Sequence, residues 1–306
     1  MVNMVASAGH KLGQIVGDWW EAHVVLPLLS DVASQLGLFL DNRFVERTCR
    51  GGKILWPDSD GNQVDYDYVL ELDGTIGAKG VPVAFFESFW RRGARHSKDK
   101  ARDDTNKLLP MRSTYPTARF LAIAACGEFT EPAREYVRSR EVELFYISKT
   151  NIVAAFAKLG LTIDYPDSLP EPDKLKLVND LEESLTDQAK KDAFSALKQI
   201  VGDKSFKAFQ VKVASSLAAM PQEIRLYVLT RTGPVVFQTT EEVRKFLDTE
   251  TDWAALGGEK HEYVYDVVYT DGAQFSVTAS DLDELRQLHS QVETLEIHMR
   301  SLDITW

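Results

Sequence analysis

The stretch from residue 64 to residue 90 constrains the fold most, because it places acidic side chains inside two apolar runs. It reads VDYDYVLELDGTIGAKGVPVAFFESFW, with Asp65 and Asp67 in the first run and Glu87 in the second. Two runs rich in Val, Tyr and Phe on either side of a glycine-containing turn predict consecutive β-strands. A carboxylate is costly to bury unless it gains a hydrogen bond, an opposite charge or a metal ion. These strands are therefore expected to contribute to a cation-binding site or to a catalytic site.

The chain up to residue 165 predicts a mixed β-sheet flanked by helices. Apolar residues at helical spacing cover 12–40, with a break expected at Pro27. Strands are predicted in the runs NRFVERTCR, DYDYVLEL, PVAFFESFW, ARFLAIAAC and VELFYIS, and a polar loop in LWPDSDGNQ. Helices are predicted in ARHSKDKARDDTNKLLPM and EPAREYVRSR. Short connections early in the chain and helical crossovers later are typical of a mixed α/β sheet.

The rest of the chain predicts a helical connector, 166–220, and a smaller C-terminal α/β domain, 221–306. The connector is rich in Lys, Glu, Ala and Leu and is expected to break near Gly202. The C-terminal part twice repeats the order strand, turn, strand, helix, and a last strand is predicted near LEIHM. Thr239 and Glu242 have the spacing of a helix capping box. A doubled unit of this kind suits target recognition or dimerisation, and the sequence leaves both open.

The first helical region carries an acid in line with two glycines. Gly13, Gly17 and Glu21 are four residues apart and therefore share one helical stripe. The glycines predict close approach to a neighbouring backbone, which would carry Glu21 toward the element on which the helix packs. The alternative is that Glu21 is a solvated helix residue.

The charge of the chain is unevenly distributed. The 306 residues carry a formal charge of -11, which argues against a general nucleic-acid coat because neutralising phosphates requires many Lys and Arg. The segment 91–107 nevertheless has seven Lys or Arg against three Asp. One basic edge on an acidic body favours a polyanion in a single orientation, and the alternative is a solvated helix face. The predicted nucleic-acid contacts are Arg91, Arg92, Arg95, Lys98, Lys100 and Arg102.

Several other chemistries find no motif in the sequence. There is no GxxxxGK(S/T) loop, no GxGxxG turn, no HExxH and no GxSxG, so no nucleotide cofactor and no zinc hydrolysis are expected. Cys49 and Cys126 are far apart and form no CxxC, which predicts buried free thiols. Without a basic leader or an apolar run of bilayer length, the chain is expected to be cytoplasmic, with no membrane contact.

The order of elements up to residue 150 resembles that of a nuclease superfamily. A helix with Glu21, a strand with Asp67, a strand with Glu87, a helix and a further strand together resemble the PD-(D/E)xK nuclease superfamily, which includes most type II restriction endonucleases. The resemblance implies a restriction endonuclease-like core over residues 1–165. It also implies that Asp67 and Glu87 bind the metal and that Glu21 matches the acid many members carry on the first helix. Asp65 is the alternative to Asp67, because both have the same strand parity and are expected to face the same side.

One position departs from the motif of this superfamily. Phe89 stands two residues after Glu87, where the family usually has Lys. Family members are known in which the cation has migrated along the sheet or to the adjoining helix. Arg91, Lys98 or Lys100 could therefore take its place, and we expect activity to survive. A catalytically silent DNA-binding protein of the same fold is the alternative.

The chemistry of the same residues points to magnesium. A phosphodiester repels hydroxide, so its hydrolysis needs a Lewis acid that screens the charge and acidifies a water molecule. Mg2+ prefers hard oxygen ligands and is commonly held by one or two carboxylates. The expected function is that of an Mg2+-dependent endonuclease acting on double-stranded DNA, most simply a sequence-specific restriction enzyme. Symmetric cutting of two strands predicts a homodimer, and a defence or repair nuclease with little sequence preference is the alternative.

Overall fold

The computed structural model describes residues 7–228, 233–249 and 262–302. The helices in these ranges are α1 (Ala8–Trp20), α2 (Leu26–Gln35), α3 (Ser97–Thr114), α4 (Glu131–Arg138), α5 (Lys149–Ala157), α6 (Glu171–Ser184), α7 (Asp187–Val201), α8 (Asp203–Ala218), α9 (Thr240–Thr249) and α10 (Leu282–Ser301). A π-helical segment, Glu21–Val25, lies between α1 and α2.

The strands are β1 (Phe39–Asn42), β2 (Leu55–Pro57), β3 (Gln63–Asp65), β4 (Tyr68–Leu72), β5 (Val81–Arg91), β6 (Phe120–Gly127), β7 (Glu143–Ser148), β8 (Pro221–Val228), β9 (Val235–Phe237), β10 (Tyr263–Tyr269) and β11 (Gln274–Ala279). Within the described ranges they form a five-stranded sheet, a four-stranded sheet and a two-stranded hairpin.

The five-stranded sheet is mixed, as the sequence predicts. Its order is β1-β4-β5-β6-β7, with β1 antiparallel to β4 and β6 parallel to β7. Every residue of β6 is buried, and so is the whole of β5 except its two ends. Strands enclosed on both faces read as continuous apolar runs, which is why these two are evident in the sequence. The mixed α/β class with flanking helices is confirmed.

The chain divides into two compact units that each draw on separate segments. One contains the chain up to Val32 with Phe86–Asn106 and Ala122–Val211, and the other contains the remainder. The predicted limits at 165 and 220 are not the limits of these units. Helices α6 and α7 pack against α1 within the first unit, where Glu171 accepts a hydrogen bond from Ala8 N at 3.0 Å and Lys190 O accepts one from Trp19 Nε1 at 3.0 Å. The assignment of residues 166–220 as a connector between domains stays a prediction.

Three predicted elements of the first half are wrong in position. Strand β1 ends at Asn42, the first residue of the NRFVERTCR run, instead of lying within the run. The chain turns at 43–50 and buries the side chain of Arg47 there. The predicted loop LWPDSDGNQ contains β2 and the start of β3, which form an antiparallel hairpin closed by Asp58, whose Oδ1 accepts from Asn62 N at 2.8 Å. The break expected at Pro27 is the change from π- to α-helix, with Pro27 in the first turn of α2.

The C-terminal repeat is confirmed except for its last strand. Strands β8 and β9 precede α9, and β10 and β11 precede α10, in an antiparallel sheet of order β11-β10-β8-β9. The capping box is present, since Glu242 N donates to Thr239 Oγ1 and Thr239 N to Glu242 Oε2, each at 3.2 Å. The strand predicted near LEIHM is wrong, because α10 continues to Ser301 with Leu295 and Met299 on its buried side.

Two smaller expectations concern the thiols and membrane spans. Both cysteines are free; Cys126 is buried as predicted, whereas Cys49 is only half-buried. Across the described ranges, we find no helix with the length and apolar character of a bilayer span.

Candidate functional site

The two candidate aspartates do not share a strand. Asp65 ends β3, where its Oδ1 accepts from Ile54 N at 3.0 Å and its Oδ2 lies 3.6 Å from Lys53 Nζ. Asp67 is half-buried and immediately precedes β4. The argument from shared strand parity is therefore wrong, because the chain leaves β3 before Asp67 and enters β4 after it. Asp65 serves the hairpin, which leaves Asp67 as the better metal-ligand candidate.

Glu87 lies in the interior of the longest strand of the sheet. Its side chain is only 2% exposed, and β5 is hydrogen-bonded to β4 on one side and β6 on the other. Side chains alternate along a strand, so Phe89 and Arg91 follow Glu87 on the same face. The predicted burial of this acid within an apolar strand is confirmed.

Glu21 begins the π-helical segment, and the segment is anchored to β6. Trp20 Nε1 donates to Ala124 O at 3.0 Å in the strand interior. Burial, and after it the charge of Glu21, raises the pKa of Cys126 near the end of β6, which places Glu21 close to this strand. Single π-turns inside helices occur often at functional sites.

The role expected of the two glycines in α1 is wrong. A Cβ atom added to Gly13 or to Gly17 would meet nothing within 4 Å, so neither glycine marks a close backbone approach. The buried face of α1 is instead formed by Leu12, Val16 and Trp19, which have the spacing of an apolar helical stripe. The large apolar side chains, and not the glycines, hold the helix.

Helix α3 sorts the basic segment into an inner and an outer face. Its buried positions follow the helical period and are Ser97, Ala101, Asp104, Thr105, Leu108 and Met111. Lys98 and Arg102 are exposed on the other face, and Arg102 lies within 3.5 Å of two helix aspartates. This outer face suits either a phosphate contact or a solvated set of ion pairs, as the sequence leaves open.

The arginines between β5 and α3 have different surroundings. Arg91 Nη2 donates to Arg95 O at 2.8 Å, and the side chain of Arg95 is exposed. Arg92 donates to Asp167 Oδ1 at 2.6 Å and to Tyr165 O at 3.0 Å. Because its guanidinium is already engaged within the protein, Arg92 is the weakest candidate among them for a DNA phosphate.

Lys100 lies where α3 meets β5. Its ammonium nitrogen is 2.7 Å from Oδ1 of Asp104, a carboxylate with 2% exposure, and 5.2 Å from the centre of the Phe89 ring. About a third of the Lys100 side chain, 32%, is exposed. A cation is thus present above Phe89, the next side chain after Glu87 on the same face of β5.

Sequence reasoning missed a buried charge cluster beside β1 and β4, which we call the arginine cluster: Asp41, Arg47, Arg50 and Glu71. Arg47 Nη1 lies 2.6 Å from Asp41 Oδ2 and 2.5 Å from Glu71 Oε1, and all three side chains have 0% exposure. Arg50 Nη2 lies 2.7 Å from Asp41 Oδ1. The available signal was Glu71, a third acid in the same apolar run as Asp67.

The donor chemistry of Asp67 and Glu87 fits magnesium. Both offer hard carboxylate oxygens, and Mg2+ needs only one or two such ligands when water and phosphate oxygens complete its octahedron. Among residues 7–228, 233–249 and 262–302, no set of three or more His, Cys, Asp or Glu has a metal-binding arrangement. The assignment of Asp67, Glu87 and Glu21 as ligands stays a prediction.

Comparison of this chain with models of protein families, with curated proteins and with solved structures finds no match. The function is therefore argued from the chain's own residues.

Proposed function

We propose that this protein is an Mg2+-dependent endonuclease with a restriction endonuclease-like core that hydrolyses the phosphodiester bonds of double-stranded DNA. The observation that carries the proposal is Glu87, a carboxylate enclosed to 2% exposure in the central strand β5 with a cation above the next side chain on the same face. Desolvated carboxylates of this kind are retained where they bind a partner or a metal.

Each residue of the proposal has a role in the reaction. Asp67 and Glu87 would hold Mg2+, with Glu21 beside β6 as the third acid. Bound magnesium would polarise the phosphate and acidify the attacking water. The protein itself contributes fixed carboxylates and a cation near the developing negative charge, and charge stabilisation by preorganised groups is the largest single contribution in many enzymes.

The charge of the C-terminal part favours subunit contact over DNA reading. Residues 221–306 contain 16 Asp or Glu and seven Lys or Arg, a balance of -9 out of the -11 of the whole chain. A surface of this sign repels phosphates. The remainder of the chain is close to neutral and contains the basic segment. We therefore assign DNA contact to the part of the chain before residue 221, which contains the five-stranded sheet and the basic segment. Dimerisation is then the role left to the C-terminal part.

The test is cleavage of supercoiled plasmid by wild type and by Glu87→Gln. With Mg2+ we expect discrete fragments from wild type. The cleavage rate of Glu87→Gln should be lower by a factor on the order of 10³, because a metal ligand lowers the reaction barrier by several kcal/mol. Glu241→Gln, an exposed acid of α9 paired with Lys245, is the matched control and should cut normally. Circular dichroism checks that each variant folds.

The other outcomes separate the alternatives. A smear of products would support a nuclease with little sequence preference, and retarded but intact plasmid would support a silent DNA-binding protein. Linear product formed without a nicked intermediate would support a symmetric dimer. Cleavage by Glu87→Gln at the wild-type rate would overturn the assignment of the site.

A further inference from the structure

The proposed reaction needs a positive side chain beside Glu87, which the next residue of β5 on that face does not supply. Phe89, the next residue after Glu87 on the same face of β5, carries no charge. Negative charge grows on the phosphoryl oxygens during hydrolysis, and a fixed cation nearby lowers the barrier. The question is which basic residue of the adjoining segment reaches this face.

The position of Lys100 answers it. Side chains at i and i+2 of a strand share a face and are about 7 Å apart, so the ring of Phe89 borders the space next to Glu87. The ammonium nitrogen of Lys100 lies 5.2 Å from the centre of that ring. It is thus on the Glu87 face of β5, and an aromatic face attracts a cation in that place.

The two other candidates lie less favourably. Lys98 is exposed on α3, and the contact of an ammonium group with the Phe89 ring is made by Lys100 instead. Arg91 does share the face of Glu87, but it ends β5 and its guanidinium donates to the carbonyl of Arg95. Among the residues that the structure describes, neither is paired with a buried carboxylate.

Asp104 gives Lys100 a defined position. A lysine ammonium sits on a flexible four-carbon stem and has to be held if it is to act at one point. Asp104 is one helical turn further along α3, is 2% exposed, and lies 2.7 Å from the ammonium. Because the carboxylate is enclosed while the lysine is 32% exposed, the pair fixes the cation and leaves it accessible from solvent.

We propose that Lys100, positioned by Asp104, is the cation that stabilises the reacting phosphate in this chain. In the step, the attacking water gives up a proton as its oxygen bonds to phosphorus, the bond from phosphorus to the leaving oxygen breaks, and the leaving oxygen takes up a proton in exchange. Lys100 stays protonated throughout and contributes charge only. Asp104 is a positioning residue that does not touch the substrate. The inference rests on the proposed nuclease function.

The experiment compares Lys100→Met with Lys198→Met in Mg2+-dependent plasmid cleavage. We expect Lys100→Met to lower kcat by about 10²-fold or more, the usual loss when one charge-stabilising donor is removed. KM should change little, because the interaction forms mainly in the transition state. Lys198→Met should retain wild-type kcat within about threefold, because Lys198 lies in α7 with its ammonium nitrogen 4.7 Å from the centre of the Phe194 ring and tests only the loss of a lysine held over a phenylalanine.

Two further variants test the position of the charge. Lys100→Arg should restore part of the activity, whereas Lys100→Gln, which keeps a polar stem without charge, should not. Asp104→Asn should lower kcat more than it raises KM, and a merely structural role would not give that split. Lys100→Gln replaces Lys100→Met in the comparison should the methionine variant not fold.

The outcomes distinguish this inference from the function on which it rests. If wild type cuts, Glu87→Gln does not, and Lys100→Met and Lys100→Gln cut normally, the assignment of Lys100 is overturned and the nuclease function stands. If Lys98→Met or Arg91→Met loses activity instead, the cation is that residue. If wild type does not cut DNA, the nuclease function and the role of Lys100 fall together.

Discussion

The arginine cluster and the Lys100–Asp104 pair are both ion pairs with an enclosed carboxylate, and they differ in access. In the cluster, the side chains of Arg47 and of its two acids have 0% exposure. In the pair, the carboxylate is enclosed but the lysine side chain is 32% exposed. A charge that is enclosed and fully bonded can only support the fold, whereas a positioned charge at the surface can also meet a ligand.

The bonds of Arg47 show how complete the closed arrangement is. Its Nε donates to Thr75 O at 3.0 Å, its Nη1 to both carboxylates, and its Nη2 to Glu71 Oε2 at 3.1 Å and Ala78 O at 2.6 Å. These bonds use all five donors of the guanidinium. Burial lowers the pKa of Arg47, but its bonds to Glu71 and Asp41 raise it overall. The cluster thereby fixes the turn between β4 and β5.

Arg47→Met removes the shared cation of the arginine cluster and should lower the free energy of unfolding more than the other variants described below. It would leave two carboxylates buried without their shared cation, which costs about 3–5 kcal/mol. Urea unfolding followed by circular dichroism measures the change. Arg43→Met, an exposed arginine four residues earlier, is the control and should unfold close to wild type. A cost below about 1 kcal/mol in Arg47→Met would show that the cluster relaxes and is not needed to hold the turn.

The sequence predicts strands and helices where apolar periodicity is strong. It does not predict ion pairs between residues that are far apart along the chain. Strand β5 and helix α3 follow from the run around Glu87 and the basic segment after it, and both are confirmed. The two acidic partners of Arg47 could not be predicted, because no local sequence pattern indicates that residues 41, 47 and 71 are in contact. Likewise, spacing alone ranks Lys98 and Lys100 equally, and only the contacts of Lys100 with Asp104 and Phe89 separate them.

A third group of buried polar residues lies in the C-terminal part, around His289. Replacing His289 should change the free energy of unfolding less than replacing Arg47 does, and the change should depend on pH. His289 Nε2 lies 3.0 Å from Thr240 O and its Nδ1 lies 2.9 Å from Tyr265 Oη. A carbonyl only accepts, so Nε2 donates and Nδ1 accepts from the tyrosine hydroxyl, which describes a neutral ring. Burial lowers the pKa of His289, consistent with this neutral form. Unlike Arg47, this residue contributes hydrogen bonds without charge.

The sign of the pH effect follows from that lowered pKa. Below the ordinary histidine value of about 6.5, the unfolded chain takes up a proton that folded His289 resists. The contribution of His289 is therefore complete above about pH 6.5 and is lost as the pH falls below it, by at most about 1.4 kcal/mol per pH unit. We expect His289→Gln to flatten the fall in urea-unfolding stability between pH 7.5 and 5.5.

The exposed His10→Gln is the control for this measurement and should keep the wild-type slope. An unchanged slope in His289→Gln would mean that other groups set the acid sensitivity, among them Glu293 and Glu296, which face the ring.

Arg102→Ala should have the smallest effect on stability, and it decides what the outer face of α3 does. Arg102 is 57% exposed and lies 3.5 Å from Asp99 and 3.4 Å from Asp103. Exposed pairs contribute about 0–1 kcal/mol, so unfolding should barely change. If the outer face contacts phosphates, however, the dependence of duplex binding on salt, measured with Ca2+ to prevent cutting, should fall by about one unit of log–log slope.

Lys245→Ala, in the acidic C-terminal part, is the matched loss of one exposed cation paired within its helix, and it should leave the salt slope unchanged. Equal slopes for wild type and Arg102→Ala would make the outer face a solvated set of ion pairs. DNA contact would then be restricted to the inner side of the helix, where Lys100 lies, because that is the side on which α3 carries an enclosed acid and an accessible cation together.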